Sequence, residues 1–478
     1  MTRLLAVLLS VVWITGSAFA ETRWYRLDLG GVPAGWRKVD ESTANGLRTW
    51  VITEFLRINR GGVPVEIEAS VVWVDTVNGT PVEMRLMQKM GPQPVEATWR
   101  FLGDDIEITT TQGGRTNTVR VPAPSEPWLT PQASRAFVAA RGDAGADTIS
   151  FRTMSPEYGP QALMQNMVRA GEATVHWQGR DLPATRWVVS TEGIPFKGDV
   201  LLSSDWRPLG SNMKLPFGDL SDTLAGPEVQ VMDDDVSPEL FVSLFVKPTN
   251  DLHDAHHLDR LVLRLSSKDG SEVDIDSSGS QAIAGRSPNS VTIVVDPGTP
   301  LPPIAGETDD PAYREASSLV DATDITIIEL TKQAVMDAAP GPLHHAEAIR
   351  AFVNRWIRRK GLATAFASAS ETAIDQSGDC SEHAVLLAAM LRADNIPSRV
   401  ATGLVWMDGA GAFGWHMWTQ ALISGAWIDL DATLPMTYSP GHVLVATSPL
   451  SDGWGQSDLV GLLGLLGNVQ IDVIEAKR

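Results

Sequence analysis

The chain has 478 residues, enough for about three domains at roughly 150 residues each. With 43% hydrophobic and 20% charged residues the composition is globular, which excludes a fibrous or mainly disordered protein. Lys and Arg number 38 against 58 Asp and Glu, a formal charge of −20, and this acidic balance argues against nucleic acid as a partner and against adhesion to anionic lipid.

Residues 1–20 read as an export signal. Arg3 is followed by an apolar run, Leu4 to Ile14, broken only by Ser10. Ala18-Phe19-Ala20 then gives the small-residue cleavage pattern, so the mature chain is expected to start at Glu21 and to be exported, periplasmic or extracellular. No cysteine lies near the cleavage site for lipid modification. No later segment reaches about 18 apolar residues, and Leu459–Gly467 is short and glycine-broken, so no stable membrane span is expected after cleavage.

Residues 21–225 read as an antiparallel β domain, a curled half-barrel in one form. Val65, Ile67, Ala69, Val71 and Trp73 alternate with Glu66, Glu68 and Ser70, a period-2 strand with one apolar face. Asn78-Gly79 turns the chain into Val82, Met84 and Leu86, and the pair reads as a hairpin. A second hairpin joins Thr98–Leu102 to Ile106–Thr110. A third joins Ala173–Trp177 to Ala184–Val189 through Gln178-Gly179-Arg180. Gln161–Ala170 is the one segment here that reads as helical.

Residues 226–304 form a smaller β segment, with Leu261, Leu263 and Leu265 alternating with Val262, Arg264 and Ser266, and an apolar run at Ser290–Val295. Asp233-Asp234-Asp235 lacks the spaced ligands of a calcium loop and reads as a solvated turn. His253 and His257 would share a face on a helix, but no third metal ligand accompanies them.

From residue 305 to 478 the pattern becomes mainly helical. Asp324–Ala338 reads as one helix. Ile349, Phe352, Val353, Trp356 and Ile357 follow helical spacing, with Gly361 as the stop. Ser381–Ala393 is a third helix. Its run Ala384–Leu391 is apolar on every face, which places it at a domain centre. Ser398–Trp406, Trp415–Ile423 and Ala426–Leu430 read as strands, the last two joined at Ser424-Gly425.

Cys380 is the single cysteine, so an internal disulfide and a multi-cysteine zinc site are excluded. A lone thiol is a liability in an oxidising compartment, and its retention points to chemistry. The plainer alternative is a buried small hydrophobe. Cys380 opens the buried helix, where free N–H groups and the helix dipole favour an anion. Asp379 opposes this. A sulfur nucleophile needs an acid/base, for which His416 is a candidate, and Asp431 could orient its ring. His383, three residues after Cys380, competes as the base, and Asp429 competes with Asp431. A metal site of Cys380, His383 and His416 is a further alternative. Trp415, Trp418 and Trp427 wall a cleft or pack a core.

These residues carry a resemblance. Gly378-Asp379-Cys380-Ser381-Glu382-His383-Ala384, then Leu391 through Gly403, then His416-Met417-Trp418 and Trp427 through Thr433 resemble, in that order, the bacterial transglutaminase-like superfamily over residues 305–445. The resemblance implies an α+β fold in which the antiparallel β region is followed by a papain-like core. It assigns Cys380 as nucleophile, His416 as acid/base and Asp431 as orienter, with no cofactor and no metal. Gln420 stands where the family often has Glu, and Ala432 where it often has Pro.

The expected function is an exported cysteine acyl-transfer enzyme acting on amide or ester bonds of a protein or peptide through a thioester. The rival reading is a non-catalytic exported scaffold that binds through its β domain.

Overall fold

The structure, a computed structural model, describes residues 21–89, 94–112, 114–156, 159–194, 196–215, 218–233, 236–239, 244–361, 367–452 and 465–478. Residues 1–20, where an export signal is expected, Asp234, Asp235 and residues 459–464 of the late apolar stretch lie outside them.

Strands β1–β14 span Glu21–Leu29, Val32–Ala44, Leu47–Arg60, Val63–Thr76, Pro81–Lys89, Val95–Phe101, Asp105–Gln112, Arg115–Pro122, Thr148–Met154, Ala162–Trp177, Arg180–Thr191, Lys197–Leu202, Pro208–Met213 and Leu220–Ala225. They form one sheet of order β8-β7-β6-β5-β4-β3-β2-β1-β14-β13-β12-β11-β10-β9. It is two meanders joined where β1 pairs antiparallel with β14. The three hairpins read from the sequence are all present. The Gln178-Gly179 turn has φ of 49° and 72°, the twist that suits a two-residue hairpin.

Two elements differ from the sequence reading. Residues 162–170 are not helical: they belong to β10, flanked by β9 and β11. Their apolar residues fit a helical period locally, but pairing on both edges overrides that preference. Helix α1 (Pro131–Asp143) was not anticipated. Thr130 caps it by accepting from Ala133 N–H, and Pro131 takes the first turn. α1 packs Val138 against Ile149, Phe151, Met167 and Trp187 of the sheet.

A second sheet has the order β16-β17-β15-β24, from β15 (Arg260–Ser267), β16 (Gln281–Ser287), β17 (Ser290–Val295) and β24 (Val469–Lys477). Leu261, Leu263 and Leu265 are fully buried and Arg264 faces solvent, but Val262 on the opposite face is buried too, so the alternation holds only in part.

The remaining elements are α2 (Ile325–Val335), α3 (Pro342–Trp356), β18 (Arg359–Lys360), α4 (Ala369–Asp375), β19 (Ser377–Gly378), α5 (Cys380–Ala393), β20 (Ser398–Met407), β21 (Ala412–Ile423), β22 (Ala426–Leu430) and β23 (His442–Ser448). The sheet β22-β21-β20-β23 lies against α5. Ala384 through Leu391 are all buried, in one cluster with Ile327 of α2, Ile349 and Val353 of α3, Ala373 of α4 and Met417 of β21. At about 1.5–3 kcal/mol per large apolar side chain, this burial fixes α5, and with it Cys380, on the sheet.

The second sheet shares its core with this unit. Leu261, Leu263, Ile293 and Ile471 cluster with Leu404, Phe413 and Val443. The large sheet reaches the same unit through hairpin ends. Arg60 Nη2 donates to Asp379 Oδ2 at 2.8 Å, and Arg115 Nη2 to Asp324 Oδ2 at 2.9 Å. The β3–β4 tip that carries Arg60 turns through Gly61 and Gly62, at φ of 63° and 88°.

Candidate active site

Cys380 is the first residue of α5, and Asp379 is its N-cap. The end of the helix is closed reciprocally. Asp379 Oδ1 accepts from Ser381 N–H at 2.8 Å, and Asp379 N–H donates to Glu382 Oε2 at 2.8 Å. A Cβ on Gly378 would stand 2.3 Å from Glu382 Cβ, so only glycine lets the chain pass so close to its own first turn. Glu382 is fully buried and also accepts from Ala367 N–H. Burial, reinforced by the Asp379 carboxylate, pushes its carboxyl up to about 8. The opposition of Asp379 to an anion at Cys380, expected from sequence, meets a counter-charge: Asp379 is ion-paired with Arg60 from the large sheet.

His416 stands on β21. Its Nε2 donates to Asp431 Oδ2 at 2.8 Å, and the Cys380 thiol is a hydrogen-bond partner of the same ring. With Nε2 engaged by Asp431, Nδ1 is the nitrogen left for Cys380. Burial alone would pull His416 down. The Asp431 carboxylate outweighs burial, Cys380 adds in the same direction, and the imidazole is held up, toward its cationic form. Burial would likewise push Asp431 up, and His416 instead holds it well below the usual carboxylate range.

Asp431 lies just past β22, and its Oδ1 accepts from Thr433 N–H at 2.7 Å. Asp429, which competed with it in the sequence, is committed elsewhere. Its Oδ1 accepts from Trp418 Nε1 at 2.9 Å and Gln420 Nε2 at 2.8 Å, and its Oδ2 from Ser280 N–H at 2.7 Å. Gln420 Oε1 in turn accepts from Arg399 Nε at 2.9 Å, so this residue belongs to a buried structural network. Arg399 stacks on Trp427 at 3.9 Å and pairs with Glu307.

The competing base, His383, is 1% exposed, with Nδ1 donating to the Asp379 carbonyl and Nε2 without a partner among the described residues. Burial pulls it down to about 4, which keeps it neutral near pH 7. Trp418 and Trp427 are each 1% exposed and are core residues. Trp415 is half-buried.

Sequence reasoning missed His442. Its Nε2 lies 3.1 Å from Asp431 Oδ2, its Nδ1 2.9 Å from the Ser439 carbonyl, and its ring stacks on Tyr438 at 4.3 Å. The signal was faint, a lone histidine opening β23 eleven residues after the carboxylate. Lys360, also missed, reaches Thr433 O with Nζ at 3.1 Å, and burial lowers its ammonium from the usual lysine value.

Among the described residues, His416, Asp431 and His442 form a group whose ligand atoms lie within 4.8 Å of one another, close enough to hold a metal ion. The expected alternative of Cys380, His383 and His416 is not such a group. In the structure both imidazole N–H groups already donate to Asp431 Oδ2, so hydrogen bonding accounts for the cluster. His253 and His257 share no helical face: Asp254 is left-handed, and a three-residue turn, Ala255–His257, follows it. His256 instead bonds Ser439 and the Trp406 carbonyl, each at 2.8 Å.

No curated protein sequence matches the chain. Three solved structures are similar at a distance. A β-barrel-like protein of unknown function from Brucella abortus has 10% identity and a TM-score of 0.34, covering 42% of this chain and 94% of that one. A candidate cysteine protease from Cytophaga hutchinsonii has 17% identity and a TM-score of 0.31, covering 46% and 88%. A candidate protease from Parabacteroides distasonis has 12% identity and a TM-score of 0.19, covering 74% and 68%. Residues 330–432, from α2 to the residue after Asp431, match the sequence model of the transglutaminase-like superfamily, and this part of the chain is a transglutaminase-like core.

Proposed function

We propose that the chain is a cysteine acyl-transfer enzyme with Cys380, His416 and Asp431 as its triad. The observation that carries this reading is the placement of one imidazole between a sulfur at a helix N-terminus and a buried carboxylate. Cys380 Sγ attacks the carbonyl carbon of an amide or ester, and the thiol proton goes to His416. As the tetrahedral intermediate collapses, His416 returns that proton to the leaving amine or alcohol, and a thioester to Cys380 remains. Water, deprotonated by His416, then releases the acid and restores the thiol. An amine in its place gives transamidation. Cys380 N–H, at the first turn of α5 where no partner within the helix exists, is one donor to the oxyanion. Asp431 fixes the ring and supports the imidazolium.

The substrate class is protein or peptide. The catalytic unit is residues 305–478, preceded by the β segment 226–304 and the β domain 21–225. The export signal in residues 1–20 places the enzyme in the periplasm or outside the cell, and intact mass of the exported protein should show Glu21 as its first residue.

Iodoacetamide alkylation of the full chain tests the triad. Cys380 is the single thiol, so the rate reports one site. Fast labelling at pH 6–7 that His416→Ala slows supports the enzyme. Labelling at the rate of a free thiol, indifferent to His416→Ala, supports the scaffold reading and ends this one.

A further inference from the structure

The large sheet encloses a cavity of about 600 Å³, and Cys380, His416 and Asp431 are not among its lining residues. Its walls come from β1–β4, β9–β14 and α1, so strands far apart in the sheet order face one space and the sheet is curled around it. The volume falls within the roughly 300–1,000 Å³ of small-molecule sites. Most of the wall is apolar, with Trp50, Val71, Phe151, Met167, Val200 and Trp206 in it.

The polar lining includes a group at β1, β2 and the first turn of α1, besides Thr153, Gln165, Asp199, Asn212 and Asp222 elsewhere on the wall. Glu41 joins Arg23 to Arg135, and Gln132 lies one turn before Arg135 on α1. Arg23 Nε and Nη1, both polar atoms of the Gln132 amide and Asn212 Oδ1 are buried without a hydrogen-bond partner among the described residues. Leaving such an atom unpaired is costly, and folded chains keep few of them. Here several share one cavity wall. The unpaired donors, Arg23 Nε and Nη1 and Gln132 Nε2, outnumber the unpaired acceptors, Gln132 Oε1 and Asn212 Oδ1. The local ion-pair group, Arg23, Arg135 and Arg207 with Glu21, Glu41 and Asp205, is electrically balanced, so the unpaired donors and not a net charge select the head.

We propose that the curled sheet binds an amphipathic molecule, its apolar tail along the Trp50 and Phe151 wall and its acceptor-rich head on Arg23 and Gln132. A carboxylate and a phosphate share this head-group chemistry. The site is independent of the acyl-transfer reading, because it shares no residue with the triad.

The test is titration of the full chain with the fluorescent probe 11-(dansylamino)undecanoate, followed by displacement. Saturable binding at one site per chain is expected. Hexadecanoate or hexadecyl phosphate should displace the probe, and the better competitor identifies the head group. Hexadecylamine, with the same tail and opposite charge, should compete at least tenfold less well. Gln132→Leu removes the amide without touching any ion pair and should weaken binding several-fold. Ile52→Trp narrows the cavity and should abolish binding, with circular dichroism confirming the fold of both variants. Absence of saturable binding to the folded wild type, equal competition by the amine, or unchanged binding in both variants overturns the proposal.

Discussion

His442 donates through Nε2 to Asp431 Oδ2 at 3.1 Å, the same oxygen that takes His416 Nε2 at 2.8 Å. The carboxylate is thereby held from two sides, by the ring it orients and by a ring on β23. Its other oxygen is pinned by Thr433 N–H. His442→Phe keeps an aromatic ring against Tyr438 and removes both ring nitrogens, at the cost of a slightly larger ring. Hydrogen bonds to charged groups contribute about 1.5–3 kcal/mol. At about 1.4 kcal/mol per tenfold, kcat/KM is expected to fall roughly 10- to 100-fold. An unchanged kcat/KM in a folded His442→Phe variant would remove His442 from the positioning of Asp431.

The triad itself predicts a graded series. Cys380→Ala abolishes acyl transfer, since no second thiol exists to form the thioester. His416→Ala is expected to cost about 10²–10⁴-fold, the usual scale of acid–base assistance. Asp431→Asn keeps the shape and removes the charge that holds His416 up, so fewer rings are cationic at pH 6–8 and alkylation of Cys380 slows there. His383→Asn should change the alkylation rate little, because His383 is held neutral and bonded to the Asp379 carbonyl. A large effect of His383→Asn with none of His416→Ala would exchange their roles.

The parts of the fold legible in the sequence are those whose information is local. The Val65–Trp73 alternation, the Asn78-Gly79 turn and the all-apolar run of α5 each state their environment within a dozen residues. Cys380, His416 and Asp431, which lie together in the structure, could be grouped from the sequence because the order of their motifs is itself specific. What stayed hidden depends on distant partners. β10 reads as helix until β9 and β11 flank it. Asp429 and Asp431 are equivalent in a strand pattern, and only Trp418, Gln420 and the Ser280 amide, which is 149 residues away, separate them. The ion pair of Arg60 with Asp379 spans 319 residues, and neither residue type announces it.

That ion pair gives the third prediction. Asp379 is buried beside Cys380 and Arg60 is partly exposed, so the pair is worth more than an open surface bridge and less than a sealed one. Arg60→Gln leaves the Asp379 carboxylate less compensated next to the nucleophile. Alkylation of Cys380 at pH 7 should slow by about threefold to tenfold, corresponding to about 1 kcal/mol. The reduced rate should recover in Asp379→Asn/Arg60→Gln, where neither charge remains. An alkylation rate indifferent to Arg60 would mean that the β domain does not act on the site.

Stability against pH isolates His383. Its value in the folded chain is about 4, against 6.5 in the unfolded chain. The unfolded state therefore binds more protons between these values, and the stabilisation, complete above pH 6.5, is lost as pH falls toward 4. Glu382 has the opposite sign: its carboxyl is raised to about 8, so its contribution is complete below about 4.5 and is lost as pH rises through 8. The difference between wild type and His383→Asn separates the two. Between pH 6.5 and 4 the wild-type unfolding midpoint in urea should fall more steeply than that of the variant. Parallel profiles would show that His383 is not buried neutral.

The final prediction concerns where a folding unit can be cut. The pattern changes near residue 300, which makes Ala305 the obvious place to begin a shortened chain. The contacts argue for an earlier start. β15 pairs with β24 from the other end of the chain, and its Leu261, Leu263 and Leu265 cover Leu404, Phe413 and Val443 together with Ile293 and Val295 of β17. Removing those five buried side chains, at about 1.5–3 kcal/mol each, forfeits an amount comparable with the roughly 5–15 kcal/mol stability of an entire domain. It also leaves β24 without its partner and Asp429 without the Ser280 amide. Residues 305–478 are therefore expected to unfold without a cooperative transition and to bind a hydrophobic dye. Residues 244–478, which keep the second sheet, should unfold cooperatively in the same experiment. They should also alkylate Cys380 at a rate close to that of Arg60→Gln in the full chain, since both lack the guanidinium beside Asp379. A cooperative transition for 305–478 at the midpoint of the longer piece would show that β15 and β17 are dispensable and that the change of pattern is also an energetic boundary.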